Sequence, residues 1–190
     1  MSGDDKHHGH GHGQGHTQEH RHGPERDQHG NPLDLKGYLE KLEDPGRRAW
    51  QKPEELVAAL ELRPGMQVAE VGPGPGMITR LLARAVAGTD EAAGLGSPAG
   101  HVFACEVEPR MLAVLAERLA EAGVDNVSPI LARGDDPLLP MASCDLALLV
   151  NSYHHLADGP AYLRRLSRAL RPGGRIAIVD FHTGERPVGP

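Results

Sequence analysis

From residue 33 onward, apolar residues follow two patterns, whereas before it they are almost absent. Short continuous apolar runs predict buried strands, and apolar residues three and four positions apart predict amphipathic helices. The predicted strands are 67–71, 101–107, 128–132, 145–150 and 175–181. Helices are predicted at 33–42, from 53 to about 60, at 77–86, at 109–122 and at 159–170.

The alternation of strands and helices predicts an α/β fold built on a parallel sheet with right-handed crossovers. Ligands of such sheets bind beyond the carboxyl ends of the strands. The predicted ends hold most of the polar residues that flank the apolar strands, at 72–76, 106–108, 134–136, 151–155 and 180–182. We therefore expect these segments to converge on one binding site.

A glycine turn, Gly72-Pro73-Gly74-Pro75-Gly76, follows the first strand. Its glycines allow a ligand to approach the backbone, and the helix that follows offers unpaired N–H groups. The two prolines restrict the backbone of the turn. A dinucleotide fingerprint would need its third glycine at Met77 or Thr79, and the chain has no Gly-Lys-Ser/Thr phosphate loop. The turn therefore indicates a nucleotide-like ligand that is not held mainly by its phosphates.

The N-terminal segment, residues 1–32, has the composition of a disordered tail, which leaves 33–190 as the folded domain. It holds eight of the 12 histidines: His7, His8, His10, His12, His16, His20, His22 and His29. Imidazoles at this density predict weak binding of divalent metals, but without fixed geometry we predict no defined metal site. A metal-binding protein that acts through this segment is one alternative function.

Charge and apolar content disfavour several classes of partner. A net charge of −6 argues against a nucleic acid, which usually needs a basic surface. The N-terminus lacks a secretory signal, and no apolar run approaches the ~20 residues of a membrane span. Cys105 and Cys144 lie in apolar runs and are expected to be buried thiols in a reducing compartment. We therefore expect a cytoplasmic protein with no membrane partner.

Five landmarks carry a resemblance to a known family. They are Glu70-x-Gly72-x-Gly74-x-Gly76, then Glu106, then Gly134-Asp135-Asp136, then Asp145, then Pro172-Gly173-Gly174. In this order the chain from 68 to 180 resembles class I S-adenosylmethionine-dependent methyltransferases, of the type 11/25-like domain. The resemblance implies a Rossmann-like parallel sheet with helices on both faces and strand order 3-2-1-4-5. It also implies S-adenosylmethionine as the cofactor.

The family usually continues with strands 6 and 7, which the sequence does not extend far enough to form. Those strands would cover the edge of strand 5, and an uncovered edge favours association with another chain. A homodimer that covers this edge is one expectation. Cover by the N-terminal helices is another.

The resemblance also implies roles for the residues at the strand ends. The predicted cofactor-binding residues are Glu70, Gly72, Gly74, Gly76, Glu106, Asp135, Asp136 and Asn151. Glu106 can accept from both ribose hydroxyls, because a carboxylate offers two acceptors to a vicinal diol. Asp135 resembles the acid that accepts from the adenine amino group, with Asp136 beside it, and Asn151 falls beside the sulfonium. Glu70 resembles the acid that holds the turn and the cofactor amino group. It is also compatible with a purely structural role at the turn.

His154 and His155 are the predicted catalytic residues, because a histidine can act as a general base at neutral pH. Methyl transfer needs such a base only if the acceptor must lose a proton, so neither histidine is required to be one. Asp180 and His182 form a second polar cluster after strand 5.

The predicted function is methyl transfer to a small-molecule acceptor. The glycine turn also resembles that of rRNA adenine dimethyltransferases, but Asn151-Ser152-Tyr153-His154 lacks the proline of their motif, and the acidic charge disfavours RNA. A cofactor-binding pseudoenzyme or a truncated, inactive methyltransferase is the other alternative.

Overall fold

The computed structural model describes residues 32–88 and 99–181. They form five strands: β1 Gln67–Val71, β2 His101–Glu106, β3 Val127–Leu131, β4 Cys144–Val150 and β5 Leu170–Val179. They also form six α-helices: α1 Leu35–Leu42, α2 Arg47–Gln51, α3 Pro53–Ala59, α4 Met77–Val86, α5 Pro109–Glu121 and α6 Gly159–Leu166. Short 3₁₀ turns lie at Tyr153–His155 and Ser167–Ala169. Most of the N-terminal segment and His182 fall outside the described residues.

All strand pairs are parallel, and their order is β3-β2-β1-β4-β5, which confirms the predicted topology. β1 lies at the centre, where Val68 pairs with Val102 of β2 and with Leu146 of β4. All five residues of β1 are buried, the polar Gln67 and Glu70 included, as expected for a central strand that is covered on both faces. The direction of winding reverses between β1 and β4, so the carboxyl ends of these strands border the crevice where such sheets bind ligands.

Helices cover both faces of the sheet, also as predicted. On one face, α3 and α4 pack against alternate strand residues, and Val68, Leu82 and Leu146 are fully buried there. α5 packs on the β2 end of the same face. On the other face, α6 contributes Tyr162 and Leu166 to a core with β1 and β4. The two faces together bury the sheet and leave its carboxyl edge open to a ligand.

Three elements differ clearly from the predictions. α2 was not predicted, because five residues are too few to show helical periodicity after the Asp44-Pro45-Gly46 turn. β5 begins at Leu170 rather than Arg175, because Leu170 pairs with Cys144 across a register shift. The residues between, with Gly173 at φ 82°, form an irregular start of the strand instead of a separate turn. α6 accordingly ends at Leu166, four residues earlier than predicted.

β5 pairs only with β4 among the described strands, and Ile178 and Val179 are 42% and 41% exposed. The Arg175 guanidinium donates to the Leu60 carbonyl, so the strand is tied to the end of α3. The homodimer over this edge stays a prediction. Across residues 32–88 and 99–181, none of the helices has the length and apolar character that crossing a bilayer requires.

Both cysteines are buried and unbridged, as predicted. Burial raises the pKa of the Cys105 thiol to about 12, so the thiol stays protonated at neutral pH.

Candidate functional site

A cavity of about 310 Å³ opens at the carboxyl ends of β1, β2 and β4. Its walls come from the segments after these strands, from the start of α4 and from α1 and α2. Six of the predicted site residues line it: Glu70, Gly72, Gly74, Glu106, Asn151 and His155. The structure thus brings together residues that are far apart in the sequence, from Glu70 in β1 to His155 after β4.

The glycine turn depends on backbone conformations and close contacts that side chains would disturb. Gly72 has φ 75°, and a Cβ there would lie 2.8 Å from the Cβ of Ser152. Ser152 in turn donates through Oγ to the Val71 carbonyl at 2.8 Å. The end of β1 and the segment after β4 are therefore held against each other at the cavity wall.

The other two glycines of the turn have different surroundings. Gly74, at φ 56°, lies in the cavity wall with Leu42 nearby. Gly76, at φ 88°, is the N-cap residue before α4, and a Cβ there would lie 2.5 Å from Leu115 Cδ1 on α5. Gly76 does not line the cavity. Its lack of a side chain instead allows α4 to pack closely on α5.

Glu70 is buried within β1, with only 2% of its surface exposed. Thr79, in the first turn of α4, donates its hydroxyl to Glu70 Oε2 at 2.6 Å. Burial raises the pKa of Glu70 to about 7, against the lowering effect of the Thr79 hydrogen bond and with a smaller raising effect from Glu106. Glu70 therefore joins β1 to α4 while facing the cavity with a carboxyl group close to titration at neutral pH.

Glu106 ends β2, and its carboxylate turns back over the strand end. Its Oε1 accepts from the backbone N–H groups of Val107 and Glu108 at 2.8 and 3.0 Å. Burial raises the pKa of Glu106, while these two bonds and one from the Gly74 backbone lower it. A carboxylate has about four acceptor sites, so this one keeps capacity for ligand hydroxyls.

Glu108 also lines the cavity but has a structural task. It caps α5 by accepting from the backbone N–H of Arg110 at 3.0 Å, and it pairs with the Arg110 guanidinium at 2.8 Å. The same guanidinium donates to the Pro32 carbonyl at 2.7 Å, which holds the start of the described chain at the cavity. Protein groups therefore use more of the acceptor sites of the Glu108 carboxylate than of the Glu106 carboxylate.

Asp135 and Asp136 lie beside the cavity rather than in its lining. Asp135 is exposed and pairs with Arg165 at 2.5 Å and Arg133 at 3.3 Å. The hydrogen bond from Arg165 is the main cause that lowers the pKa of Asp135. Asp136 accepts from the Leu138 N–H through Oδ1 at 2.9 Å. From this segment, Arg133 and the predicted landmark Gly134 reach the cavity wall.

Asn151 follows β4 with φ 51°, a conformation that its short polar side chain tolerates. Its backbone N–H donates to the Val179 carbonyl at 2.8 Å, which fixes the chain as it turns toward the two histidines. Backbone held in this region often marks a functional site.

The two histidines face different surroundings, although their rings lie 4.0 Å apart. His155 lines the cavity and His154 does not. The His154 Nδ1 lies 2.8 and 3.0 Å from the two carboxylate oxygens of Asp180. Burial acts to raise the pKa of Asp180, but hydrogen bonds from the Phe181 N–H and from His154 outweigh it and lower that pKa. His155 is therefore the histidine placed to meet a ligand.

Four cavity residues come from the helices before β1: Tyr38 and Leu42 on α1, and Arg47 and Gln51 on α2. The sequence predicted the helices on either side of α2 but not α2 itself. It contained no signal for these particular side chains, because Arg47 and the adjacent Arg48 are equivalent in the pattern. In the fold, Arg48 instead pairs with Glu54.

Comparison with known proteins identifies similar chains. A sequence family described as a methyltransferase domain matches residues 68–174. Nocamycin O-methyltransferase of Saccharothrix syringae is 32% identical over 124 residues, covering 65% of this chain and 41% of that protein. Ubiquinone/menaquinone biosynthesis C-methyltransferase UbiE of Burkholderia vietnamiensis is 28% identical over 142 residues, covering 74% and 53%. The chain thus spans about half the length of the curated relatives it matches.

Solved structures show the same similarity. A SAM-dependent methyltransferase from Aquifex aeolicus superposes with a TM-score of 0.71 and 28% identity, covering 81% of this chain and 77% of that one. A SAM-dependent methyltransferase from Geobacter sulfurreducens, in complex with S-adenosyl-L-homocysteine, has a TM-score of 0.52 and 27% identity, with coverage of 68% and 47%.

Proposed function

The chain belongs to the class I S-adenosylmethionine-dependent methyltransferases, and we propose that it transfers the methyl group of this cofactor to a small-molecule acceptor. The observation that carries the proposal is the buried carboxylate of Glu106, which lies at the end of β2 in the same cavity wall as the glycine turn. A buried acceptor beside exposed backbone is the arrangement that a ribose diol needs.

The cavity residues fit the chemical groups of the cofactor. Glu106 would hold the ribose hydroxyls, and Glu70 would face the amino group, whose positive charge favours the ionised carboxyl. Gly72 and Gly74 leave the backbone accessible at the same wall. Asn151 would lie near the sulfonium. Asp135 and Asp136 stay proposed partners of the adenine end, where Arg133 and Gly134 line the wall.

When bound, S-adenosylmethionine supplies a methyl group on a sulfonium centre, from which the neutral thioether of S-adenosylhomocysteine is a good leaving group. The chain's own residues then contribute mainly by proximity and orientation, since they hold the two reactants in one geometry. α1 and α2 cover the cavity and would exclude water from it. His155 is the proposed general base for an acceptor that must lose a proton, with His154 held beside it by Asp180.

A small-molecule acceptor is supported by the charge of the chain and by its relatives. The net charge of −6 disfavours a nucleic acid. The two curated relatives are named for O-methylation of nocamycin and for C-methylation in ubiquinone/menaquinone biosynthesis, so their names include both oxygen and carbon acceptors.

Calorimetry with S-adenosylhomocysteine tests the proposal. We expect saturable binding to the wild-type protein and a loss of roughly tenfold to a hundredfold in affinity for Glu106→Ala, because one or two charge-assisted hydrogen bonds are removed. Glu106→Gln keeps one acceptor oxygen for the Val107 and Glu108 amides and controls for disturbance of the strand end. Glu117→Ala, an exposed glutamate on α5, is the matched control and should bind as the wild type does. Absence of binding by folded wild-type protein would refute the proposal.

A further inference from the structure

The guanidinium of Arg47 carries an unsatisfied hydrogen-bond donor in the wall of the cavity. Its Nε is buried without a hydrogen-bond partner, and across the described residues it is the only buried side-chain nitrogen or oxygen in that condition. Buried polar atoms are nearly always paired, so an unpaired donor in a ligand cavity suggests that the ligand supplies its partner.

The side chain is held in place without being neutralised. Its guanidinium carbon lies 5.1 Å from the centre of the Trp50 ring, and Nη2 donates to Gln51 Oε1 at 3.4 Å, a long and weak hydrogen bond. Arg47 takes part in none of the ion pairs found within the described part of the chain. Burial lowers the pKa of Arg47, while Tyr38 and Asp44 act to raise it. An anion in the cavity would therefore relieve a desolvated charge.

α2 is anchored near the end of β5, so the charge of Arg47 beside Trp50 lies toward the β5 side of the cavity. Trp50 contacts Phe181, just after β5, with 6.0 Å between ring centres, and Phe181 lies 6.3 Å from His154. Glu106, in contrast, ends β2. In the sheet, β1 and β4 lie between β2 and β5, so α2 is anchored on the opposite side of the crevice from the proposed ribose site.

We propose that Arg47, supported by Gln51, recognises an anionic oxygen of the methyl acceptor, such as a carboxylate or an ionised enol or phenol. Nε–H and an Nη–H of one guanidinium form a planar pair of donors that fits two acceptor atoms. The apolar body of such an acceptor would pack on the cavity residues Leu42, Met77 and Leu156. This inference rests on the proposed function, because it names the class of acceptor for the same cavity.

Benzoate and benzamide are suitable probes, since they share a shape and differ in charge. We would titrate each into wild-type protein saturated with S-adenosylhomocysteine, and follow the Arg47 Nε–H resonance by NMR. Benzoate is expected to bind at least about tenfold more tightly than benzamide and to shift that resonance. The preference should disappear in Arg47→Met. Arg48→Met, on the same helix but paired with Glu54, is the matched control and should keep the preference.

The arms of the experiment separate the two proposals. Failure of S-adenosylhomocysteine to bind the wild type would refute the proposed function itself. With that binding intact, equal affinity for the two probes, no saturable binding of benzoate, or a preference that survives in Arg47→Met would overturn the role of Arg47. A tenfold or larger loss of S-adenosylhomocysteine affinity in Arg47→Met would also overturn it, because the guanidinium would then serve the cofactor. If Arg47→Met does not fold, Arg47→Lys keeps the charge, and the loss of the paired donors should still reduce the preference.

Discussion

At the scale of single residues, the carboxyl group of Glu70 makes the stability of the fold depend on pH. Its pKa rises from 4.5 to about 7 on burial. Between these values the folded protein holds a proton that the unfolded chain has released, so the free energy of unfolding falls as the pH rises through this interval. Above pH 7 the ionised carboxylate lowers folded-state stability by up to about 3 kcal/mol.

We therefore expect Glu70→Gln to raise the free energy of unfolding at pH 8 by about 1 to 3 kcal/mol. The amide oxygen can still accept from Thr79 but cannot ionise. Urea unfolding from pH 5 to pH 8 is the measurement, and the variant should show a smaller decline across this range than the wild type. Glu117→Gln on the exposed side of α5 should leave the pH profile unchanged. A less stable Glu70→Gln at pH 8 would mean that the folded state favours the ionised form.

At the scale of elements, the sequence predicted best what short-range signals determine. β1 has the predicted bounds, directly before the glycine turn, and α3 and α5 begin at the prolines that mark them. Because ligands of parallel sheets bind beyond the carboxyl ends of the strands, the predicted strand ends also placed Glu106 and Asn151 correctly at the cavity. α2 and the irregular start of β5 depend on distant partners, Phe181 for Trp50 and Cys144 for Leu170, so local patterns could not predict them. The position of Arg47 in the cavity was missed for the same reason.

The glycine turn is the element whose geometry is most sensitive to a single methyl group. Gly72→Ala should lower the free energy of unfolding by about 1 to 3 kcal/mol, because alanine would have to adopt φ 75° and its Cβ would meet Ser152 at 2.8 Å. Gly134→Ala is the matched control. Gly134 also lines the cavity, but it has no positive φ, and a Cβ added there would meet nothing within 4 Å. The free energy of unfolding of this variant should therefore change little.

Chemical unfolding of both variants tests this expectation. Ser152→Gly removes the colliding Cβ but also the hydrogen bond to the Val71 carbonyl, so it serves as the reference: Gly72→Ala should cost less stability in the Ser152→Gly background than in the wild type, with the strain of the positive φ remaining. Equal stability of Gly72→Ala and the wild type would show that the turn can shift without cost.

At the scale of the whole molecule, the described domain and the histidine-rich N-terminal segment are predicted to bind different ligands. Across residues 32–88 and 99–181, no group of three or more His, Cys, Asp or Glu side chains could hold a metal ion. The N-terminal segment, in contrast, has eight histidines, and neutral imidazole is a good ligand for Ni²⁺, Cu²⁺ and Zn²⁺. The segment meets the domain at Pro32, which lies in the cavity wall. Metal binding to the segment could therefore change the affinity of the cavity for its ligand through this residue.

We expect no such coupling, because the groups proposed to hold the cofactor, Glu106 and Glu70, belong to the sheet. Replacing the eight N-terminal histidines by serine in the full-length chain should abolish Ni²⁺ binding in equilibrium dialysis. The affinity for S-adenosylhomocysteine should stay within about twofold of the wild type, as for independent sites. Adding saturating Ni²⁺ to the wild type should likewise leave that affinity unchanged. A tenfold change in either comparison would contradict independence and make the N-terminal segment part of the cofactor site.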